Sequence, residues 1–428
     1  MHDIELKLGK KKVSFQMPSE LILGTINLTK DGALPSEEAI VLDSLRNPIG
    51  TKPLQQLIQP NDRICIIISD VTRMYQRPHV FLPILIEDIL KAGGKEENIF
   101  FLSALGSHRK HTKEEHLRLL GEDLYNRFPI EDHDCDDTNN LISIGTTSRG
   151  TVVEINKKAF EADRVIVTGA LVYHVMSGWG GGRKSILPGI ASRKSIMQNH
   201  GISISDTIGN GPNPSCDCAL YEENPLNLDM VEAAELFSPD FMFNVILGDG
   251  RIIAAVSGDI TQAHKKGCEM VSRFNDVPIS EKADMIIASA GGYPKDINLY
   301  QSTKVIYNAM RALKDKGVMV VLAECNEGFG NPEVQHILQD YTSNLDREME
   351  LRNDYTISKY IGFLAAWYAE KYHIIYVSSI NPDEVVSAGI TVVSSVEEAL
   401  KAAYQIKGTD QLATYIMPDG SAYPVLKS

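Results

Sequence analysis

The sequence predicts an α/β protein with two domains, each built on a mostly parallel β-sheet covered by helices. Strand-like runs of β-branched and apolar residues recur with helical stretches between them, which is typical of a parallel sheet with both faces covered. The 428 residues also exceed one hydrophobic core, because most domains hold about 100–150 residues. We therefore expect two α/β domains with an active site in the interdomain cleft.

The first domain is predicted to span 1–275 and to bind the cofactor and carry the catalytic groups. A buried strand, RICIIIS, opens a βαβ unit whose helix ends at two glycines before the next strand begins. A third buried strand, DRVIVTGA, and a pair of strands near the sheet edge follow. The predicted elements are strands at 63–69, 99–104, 163–170, 241–247 and 252–256 and helices at 80–92 and 262–274.

The second domain is predicted to span 276–404 and to begin after a linker, NDVP, at 275–278. The tail, 405–428, contains a turn and is expected to pack back on the first domain. The elements predicted for the second domain are strands at 283–290, 317–323, 373–377 and 391–393 and a helix at 300–315.

Composition excludes several classes of protein. A net charge of −14 repels polyanions, so nucleic acid is not an expected partner. No run of eighteen apolar residues predicts a membrane span, and residues 1–12 lack the apolar region of a signal peptide. Six scattered cysteines form no disulfide framework, so we expect reduced thiols and a cytoplasmic protein.

A glycine-rich segment, GWGGGRKSILP at 178–188, is the strongest candidate for a site, with His174 and His200 on either side. Glycine lets a backbone approach a ligand, and Lys184 offers a charge for phosphate or a nitrogen for covalent chemistry. The alternative is a surface loop of glycines and solvated cations. A Walker A loop is excluded because Arg183 stands where glycine must precede the lysine, whereas a pyridoxal phosphate lysine is not excluded.

Polar residues follow the predicted parallel strands at their carboxyl ends, where ligands bind in open sheets. Other interpretations are open: Asp70 as a helix cap, Arg73 as a solvated cation, and His111 and His116 on an exposed helix capped by Ser107. His108 stands at the junction of strand and helix, which favours a functional role. The residues that follow successive strands are Asp70, Thr72 and Arg73, then Ser107 and His108, then His174 and 177–184, then 291–295 with Gln301 and Lys304.

Five separated motifs closely resemble the nickel-dependent lactate racemase family, and together they span both predicted domains. The motifs are SDVTR at 69–73, ALGSHR at 104–109, YH at 173–174 through WGGGRK to PGI at 188–190, NH at 199–200, and GGYPKD at 291–296 with YQSTK at 300–304.

The resemblance implies a nickel pincer nucleotide (pyridinium-3-thioamide-5-thiocarboxylic acid mononucleotide) with Ni(II), attached covalently at Lys184. His200 matches the protein ligand of the nickel, for which imidazole is a suitable donor. Cofactor-biosynthesis enzymes are implied partners, and a protein made without them is expected to lack the cofactor. The residues expected to contact the nucleotide are Asp70, Thr72, Ser177, Gly180, Gly181 and Gly182.

The resemblance also implies racemisation or epimerisation of a 2-hydroxy acid, lactate or a close relative, by reversible hydride transfer. The Cα hydrogen of such an acid is too weakly acidic to leave as a proton, so it leaves as hydride while the hydroxyl proton goes to a base. His108 and His174 match the family's pair of acid/base catalysts, one for each enantiomer. The residues matching the substrate-binding set are Arg73, Tyr300, Gln301 and Lys304.

Two alternatives stay open at this point. Arg77 lies in a loop that departs from the family's proline-rich turn, and turned inward it could hold a second carboxylate, as in malate. The region of Trp367 matches the family's aromatic packing only weakly. A non-catalytic homologue that binds a nucleotide or a 2-hydroxy acid is the second alternative.

Overall fold

The computed structural model describes residues 1–28 and 34–427, which divide into two compact units. As far as these ranges are described, one unit comprises Asp31–Ser203 and Asn213–Arg273, and the other comprises Met1–Lys30, Ile204–Pro212 and Phe274–Ser428. We call them the lysine unit, after Lys184, and the tail unit, after the C-terminal segment.

The regular elements are numbered in chain order. The strands are β1 (His2–Leu8), β2 (Lys11–Met17), β3 (Ile22–Thr25), β4 (Ile64–Ser69), β5 (Ile99–Ala104), β6 (Ile130–Asp132), β7 (Leu141–Thr146), β8 (Val152–Asn156), β9 (Arg164–Leu171), β10 (Tyr173–His174), β11 (Gly178–Trp179), β12 (Phe241–Gly248), β13 (Arg251–Gly258), β14 (Asp276–Ile279), β15 (Ala283–Ser289), β16 (Leu313–Leu322), β17 (His373–Val377), β18 (Ile390–Val393), β19 (Thr414–Met417) and β20 (Tyr423–Leu426). The helices are α1 (Glu37–Arg46), α2 (Leu54–Leu57), α3 (Pro78–Lys91), α4 (Lys113–Arg127), α5 (Lys157–Phe160), α6 (Arg193–Gly201), α7 (Pro225–Phe237), α8 (Gln262–Asn275), α9 (Leu299–Ala309), α10 (Pro332–Gln339), α11 (Asn344–Asn353), α12 (Ile357–Lys371) and α13 (Val396–Lys407).

The lysine unit is built on a six-stranded sheet in the order β13-β12-β9-β4-β5-β6. All neighbouring pairs are parallel except β12 with β13, which form an antiparallel hairpin at the sheet edge. Ile64, Ile66 and Ile68 of β4 are buried and pack in one cluster with Phe81 and Leu85 of α3. The carboxyl ends of β4, β5 and β9 therefore share one edge, and the loops that follow them leave from that edge.

The tail unit is built on a second six-stranded sheet, all parallel, in the order β18-β17-β16-β15-β19-β3. The predicted α/β fold with mostly parallel sheets is confirmed. No helix among the described residues is long and apolar enough to cross a membrane.

The placement of both ends of the chain corrects the sequence prediction. Residues 1–28 were predicted in the first domain, but they belong to the tail unit. The tail 405–428 was expected on the first domain, but β19 pairs with β15 and β3, and β20 pairs with β14. The segment 275–278, predicted as a linker, lies mostly within β14. The physical reason is that β19 is buried along its whole length. A buried strand of a parallel sheet needs a hydrogen-bonded neighbour on each side, and β15 and β3 provide them.

The helix predicted at 300–315 is too long. Helix α9 ends at Ala309, a short 3-10 helix follows, and β16 starts at Leu313. The register between β15 and β16 shifts here, so that the exposed charged residues that follow Leu313 lie outside the ladder. Lys316 has a φ of 55° at this irregularity. Charged residues at helical spacing therefore suggested a helix where the strand bulges.

Candidate active site

The loop that carries Lys184 follows β9 and is folded tightly against its own sheet. Strands β10 and β11 form a short hairpin, and a 3-10 helix at Gly182–Ser185 presents the lysine. Gly181 has a φ of 73°, and a Cβ there would overlap Asn244 Oδ1 and lie 2.8 Å from the carbonyl oxygen of Ala170. Only glycine fits at 181 because the loop packs this closely on β9 and β12.

Of the three glycines predicted to contact a nucleotide, two donate their backbone N–H to acceptors within the protein. The N–H of Gly180 donates to the carbonyl of Val172 at 2.8 Å, and the N–H of Gly182 donates to Asn244 Oδ1 at 2.8 Å. These glycines therefore close the loop onto its sheet. Neither amide is available to a phosphate in this arrangement.

Arg183 is the clamp that holds this loop closed. Its side chain is 1% exposed, and its Nε donates to Asn227 Oδ1 at 2.7 Å while Nη2 donates to the carbonyls of Ser177 and Trp179 at 2.9 and 3.0 Å. Its Nη1 contacts Nε2 of His264. Burial lowers the pKa of Arg183, but the carbonyl and amide oxygens around it hold the guanidinium inside.

His264 was not singled out from the sequence, because it directly follows no strand of the first predicted sheet and lies in none of the motifs. The residue lies on the buried face of α8, one turn before Cys268 and next to the buried Ala263 and Gly267. A histidine on the apolar face of an amphipathic helix needs a polar partner, and this pattern was the available signal.

Lys184, His174 and Ser177 form one hydrogen-bonded group. Lys184 Nζ lies 3.1 Å from His174 Nε2 and 3.3 Å from Ser177 Oγ. The amides of Met176 and Ser177 both donate to His174 Nδ1, at 3.4 and 3.3 Å. An Nδ1 that accepts leaves the ring proton on Nε2, so this proton is directed at the nitrogen of Lys184.

The electrostatics of the loop agree with this arrangement. Burial, followed by the positive charges of Arg183 and Arg73, holds the pKa of Lys184 well below its usual range. Burial, followed by the charges of Lys184 and Arg73, does the same to the pKa of His174. His174 is therefore neutral near pH 7, and the lowered pKa of Lys184 favours the neutral amine, whose lone pair can accept the imidazole proton.

Asp70 joins the loops that follow β4 and β5. It caps the 3-10 helix Val71–Gln76 by accepting from the N–H of Thr72 at 2.7 Å, and it also accepts from the hydroxyl of Thr72. Its other oxygen accepts from His108 Nδ1 at 2.9 Å. Burial opposes ionisation of Asp70, but the hydrogen bond from His108 and the charge of Arg73 outweigh it and lower its pKa to about 2. Asp70 is thus both a cap and the partner of His108, whose ring is 46% exposed.

Arg73 and His200 belong to the same electrostatic neighbourhood as Lys184. After burial and Lys184, Arg73 and His200 both contribute to the lowered pKa of His174. His200 lies on α6 and is 1% exposed, and burial, with the charge of Lys184 second, lowers its pKa to about 3. The neighbouring Asn199 donates to Asp229 at 2.8 Å, which fixes the orientation of this turn of α6.

His111 and His116 do not lie on an exposed helix. Helix α4 starts at Lys113 with Thr112 as its cap in a capping box, and Ser107 does not cap it. The side chains of His111 and His116 are 1% and 15% exposed, and both bond to Asp132. The expectation of solvated polar positions is therefore wrong, because a carboxylate from β6 draws both rings inward.

Tyr300, Gln301 and Lys304 lie in the tail unit, on the first turn and a half of α9. The helix is capped by Asn298, whose side chain accepts from the N–H of Gln301 at 3.0 Å. Lys304 Nζ donates to Gln301 Oε1 at 2.7 Å. This turn presents an ammonium and an amide side by side, which suits a carboxylate ligand.

Arg77 does not point into a substrate site. Its Nε and Nη2 contact the carboxylate of Glu37 at 2.6 and 2.8 Å, and Nη1 donates to the carbonyl of Gly250 at 3.2 Å. The guanidinium is committed to this ion pair, which removes the residue-based argument for malate. Trp367 lies on α12 of the tail unit, where its ring packs on Phe363.

Comparisons with known proteins agree with one another along the chain. A family model described as the lactate racemase N-terminal domain matches residues 8–211, and one described as the lactate racemase C-terminal domain matches residues 279–425. The chain is similar to lactate racemase from Thermoanaerobacterium thermosaccharolyticum, at 36% identity over 98% of each sequence. It is also similar to lactate racemase from Lactiplantibacillus plantarum, at 34% identity over 97% of this chain and 98% of that one.

Solved structures give the same result for the fold. The lactate racemase apoprotein from Thermoanaerobacterium thermosaccharolyticum superposes with a TM-score of 0.90 at 35% identity, with 100% of both chains covered. A Thermotoga maritima protein, at 18% identity, shares the fold with a TM-score of 0.63 over 93% of this chain and 100% of that one.

Proposed function

The chain belongs to the lactate racemase family, and we propose that this isomerase interconverts the enantiomers of a 2-hydroxy acid, lactate first. The observation that carries the proposal is the hydrogen bond between Lys184 Nζ and His174 Nε2. It sets the lysine expected to bear a cofactor directly against a group expected to move the substrate's proton.

The residues around Lys184 fit the nickel pincer nucleotide that the family resemblance implies. Apart from burial, only positive charges shift the pKa of Lys184, so an anionic nucleotide would be drawn to this amine. A neutral amine is also the form that forms a bond to an acyl carbon. His200 is a buried imidazole held neutral, which is the form that ligates Ni(II). Bound there, the group would supply a centre that takes the substrate's Cα hydrogen as hydride and returns it.

The proposed role of the chain's own residues starts with the hydroxyl proton. His108 donates a hydrogen bond from Nδ1–H to the ionised Asp70. Its Nε2 lone pair is therefore the one that accepts the proton of the substrate hydroxyl. His174 is proposed to take the same role for the opposite enantiomer through Nε2. This requires the tautomer with the ring proton on Nδ1, in which the long bonds of 3.4 and 3.3 Å from the loop amides to Nδ1 would be broken. When the transient 2-keto acid is reduced on its other face, the opposite imidazole supplies the hydroxyl proton, and exchange with solvent restores the starting protonation of both rings.

Arg73 is proposed to grip the substrate carboxylate with two parallel hydrogen bonds. Tyr300, Gln301 and Lys304 are proposed to contribute to the same task, since the first turn of α9 offers both a cation and an amide. The cofactor contacts of Thr72, Ser177 and the glycines at 180–182 remain proposals of the same kind. Among them, Ser177 is the best supported because its hydroxyl lies 3.3 Å from Lys184 Nζ.

The test uses protein made together with cofactor-biosynthesis enzymes. We expect added mass on Lys184, bound nickel, and conversion of either pure enantiomer of lactate to the racemate. His108→Gln and His174→Gln are each expected to lose racemisation while the mass on Lys184 is retained, and His336→Gln, at a partly exposed histidine of the tail unit, serves as the control. Full activity in either variant would remove the proposed acid/base pair. Binding of lactate to the loaded protein without stereochemical exchange would show a non-catalytic homologue instead, and a panel of 2-hydroxy acids identifies the preferred substrate.

A further inference from the structure

A cluster of two histidines and one aspartate has no role in the reaction proposed above. Asp132 ends β6, and its Oδ1 accepts from His111 Nδ1 at 2.8 Å and from His116 Nε2 at 2.9 Å. Its Oδ2 accepts from the N–H of His111 at 2.7 Å. The three donor atoms lie close enough together to suggest a metal site.

The hydrogen bonding of His111 argues against a metal. Its Nε2 lies 2.9 Å from the amide nitrogen of Val71. A backbone N–H can only donate, so Nε2 must present a lone pair, and a neutral ring then carries its proton on Nδ1. A protonated Nδ1 cannot ligate a metal, whereas it is the donor that Asp132 requires.

The bond to Val71 connects this cluster to the candidate active site. Val71 follows Asp70, and its N–H is the first of the 3-10 helix Val71–Gln76. The cap residue Asp70 accepts from the N–H of Thr72, so the N–H of Val71 donates to His111 instead. The turn is therefore fastened to the loop after β5 at two points, through Asp70 to His108 and through Val71 to His111. The line of bonds crosses the carboxyl ends of the adjacent strands β4, β5 and β6.

We propose that His111, oriented by Asp132, is a positioning residue that fastens the 70–73 turn. It thereby holds Asp70 against His108 and fixes the backbone from which the side chain of Arg73 extends. This inference rests on the proposed function of Asp70, Arg73 and His108. His111 is 1% exposed in its side chain, so the bond to Val71 is shielded from competing water. His116 also bonds to Asp132, and its ring packs edge-on against that of His111, with 5.1 Å between the ring centroids, but among the described residues it makes no hydrogen bond to the turn.

Two substitutions at 111 separate hydrogen bonding from packing. His111→Phe keeps a ring in the buried site but removes the acceptor, whereas His111→Gln loses the ring but keeps an acceptor for the N–H of Val71. In the loaded enzyme, with rates normalised to cofactor content, we expect His111→Phe to lower kcat/KM for lactate about 10- to 100-fold, as displaced supporting residues commonly do. His111→Gln is expected to recover most of this loss, and His116→Gln is expected to stay within about threefold of the parent.

A second readout needs no activity and so distinguishes failure of this inference from failure of the proposed function. Hydrogen–deuterium exchange of the apoprotein is expected to show faster exchange of the 71–76 peptide in His111→Phe than in the parent or in His111→Gln. Titration with Zn²⁺ is expected to give no site that His116→Gln removes. Equal exchange in all three proteins, full activity of His111→Phe, or tight zinc binding lost in His116→Gln would each overturn the assignment.

Discussion

Replacing Arg183 by lysine keeps the buried charge of the clamp but removes its planar fork. In the parent, three acceptors on two segments receive bonds of 2.7–3.0 Å from this guanidinium: Asn227 Oδ1 on α7 and the carbonyls of Ser177 and Trp179 in the loop. A single ammonium cannot reach the Asn227 side chain and both carbonyls at once, so at least one of these bonds is lost. Since hydrogen bonds to charged groups contribute about 1.5–3 kcal/mol each, we expect the free energy of unfolding to fall by at least about 1.5–3 kcal/mol.

The matched control is Arg193→Lys. Arg193 also bonds a carboxylate through two nitrogens, at 2.7 and 2.6 Å to Asp136, but the two side chains are 51% and 59% exposed. Exposed ion pairs contribute about 0–1 kcal/mol, so this variant is expected to unfold at nearly the parent's urea concentration.

Urea unfolding of the apoprotein measures both variants. The chain has two tryptophans, of which Trp179 lies beside the clamp and Trp367 lies in the tail unit. A Trp367→Phe background therefore leaves fluorescence that reports on the lysine unit alone. If Arg183→Lys lost less than about 1 kcal/mol at an unchanged m-value, the carbonyls would have other donors and Arg183 would not be the clamp.

Three further predictions concern the same unit. Carbon-13 NMR of the Asp70 carboxyl is expected to give a titration midpoint near pH 2. Because this pKa is lower than in the unfolded chain, Asp70 stabilises the fold above pH 4, and this contribution is lost as the pH falls towards 2. A midpoint near 3.8 would contradict the pairing of Asp70 with His108. Gly181→Ala is expected to cost at least about 2 kcal/mol more in thermal or urea unfolding than Gly150→Ala, since both positions have positive φ but only the first would overlap neighbouring atoms. Arg77→Met is expected to lower stability by breaking the pair with Glu37 and to leave the preference between lactate and malate unchanged in kinetic assays; altered discrimination would place Arg77 in the substrate site.

Local pattern was sufficient for much of the fold. The strands predicted at 99–104 and 373–377 coincide with β5 and β17, because apolar runs bounded by turn residues are the direct signature of buried parallel strands. The loop of Lys184 was also identified from local features, namely its glycines and the histidines on either side. The roles given to these site residues stay predictions until the experiments above are done.

Long-range partners explain what sequence could not supply. From the sequence, His111 and His116 are expected to be polar positions on a helix. In the structure both bond to Asp132, which belongs to a separate strand, and the three side chains are largely buried together. Arg183 could likewise be taken for a surface cation from the sequence. In the structure its guanidinium is buried against Asn227 on α7 and His264 on α8. Each case needs a contact between residues far apart in the chain, which periodicity along the chain does not encode.

The pairing of β3 with β19 limits how the protein can be dissected. A fragment starting near residue 274 would lack β3, so β19 would become an exposed edge strand open to pairing with other chains. Separately expressed halves are therefore poor substitutes for the intact polypeptide, and co-expressing the 1–28 piece with the later fragment should restore solubility by strand complementation.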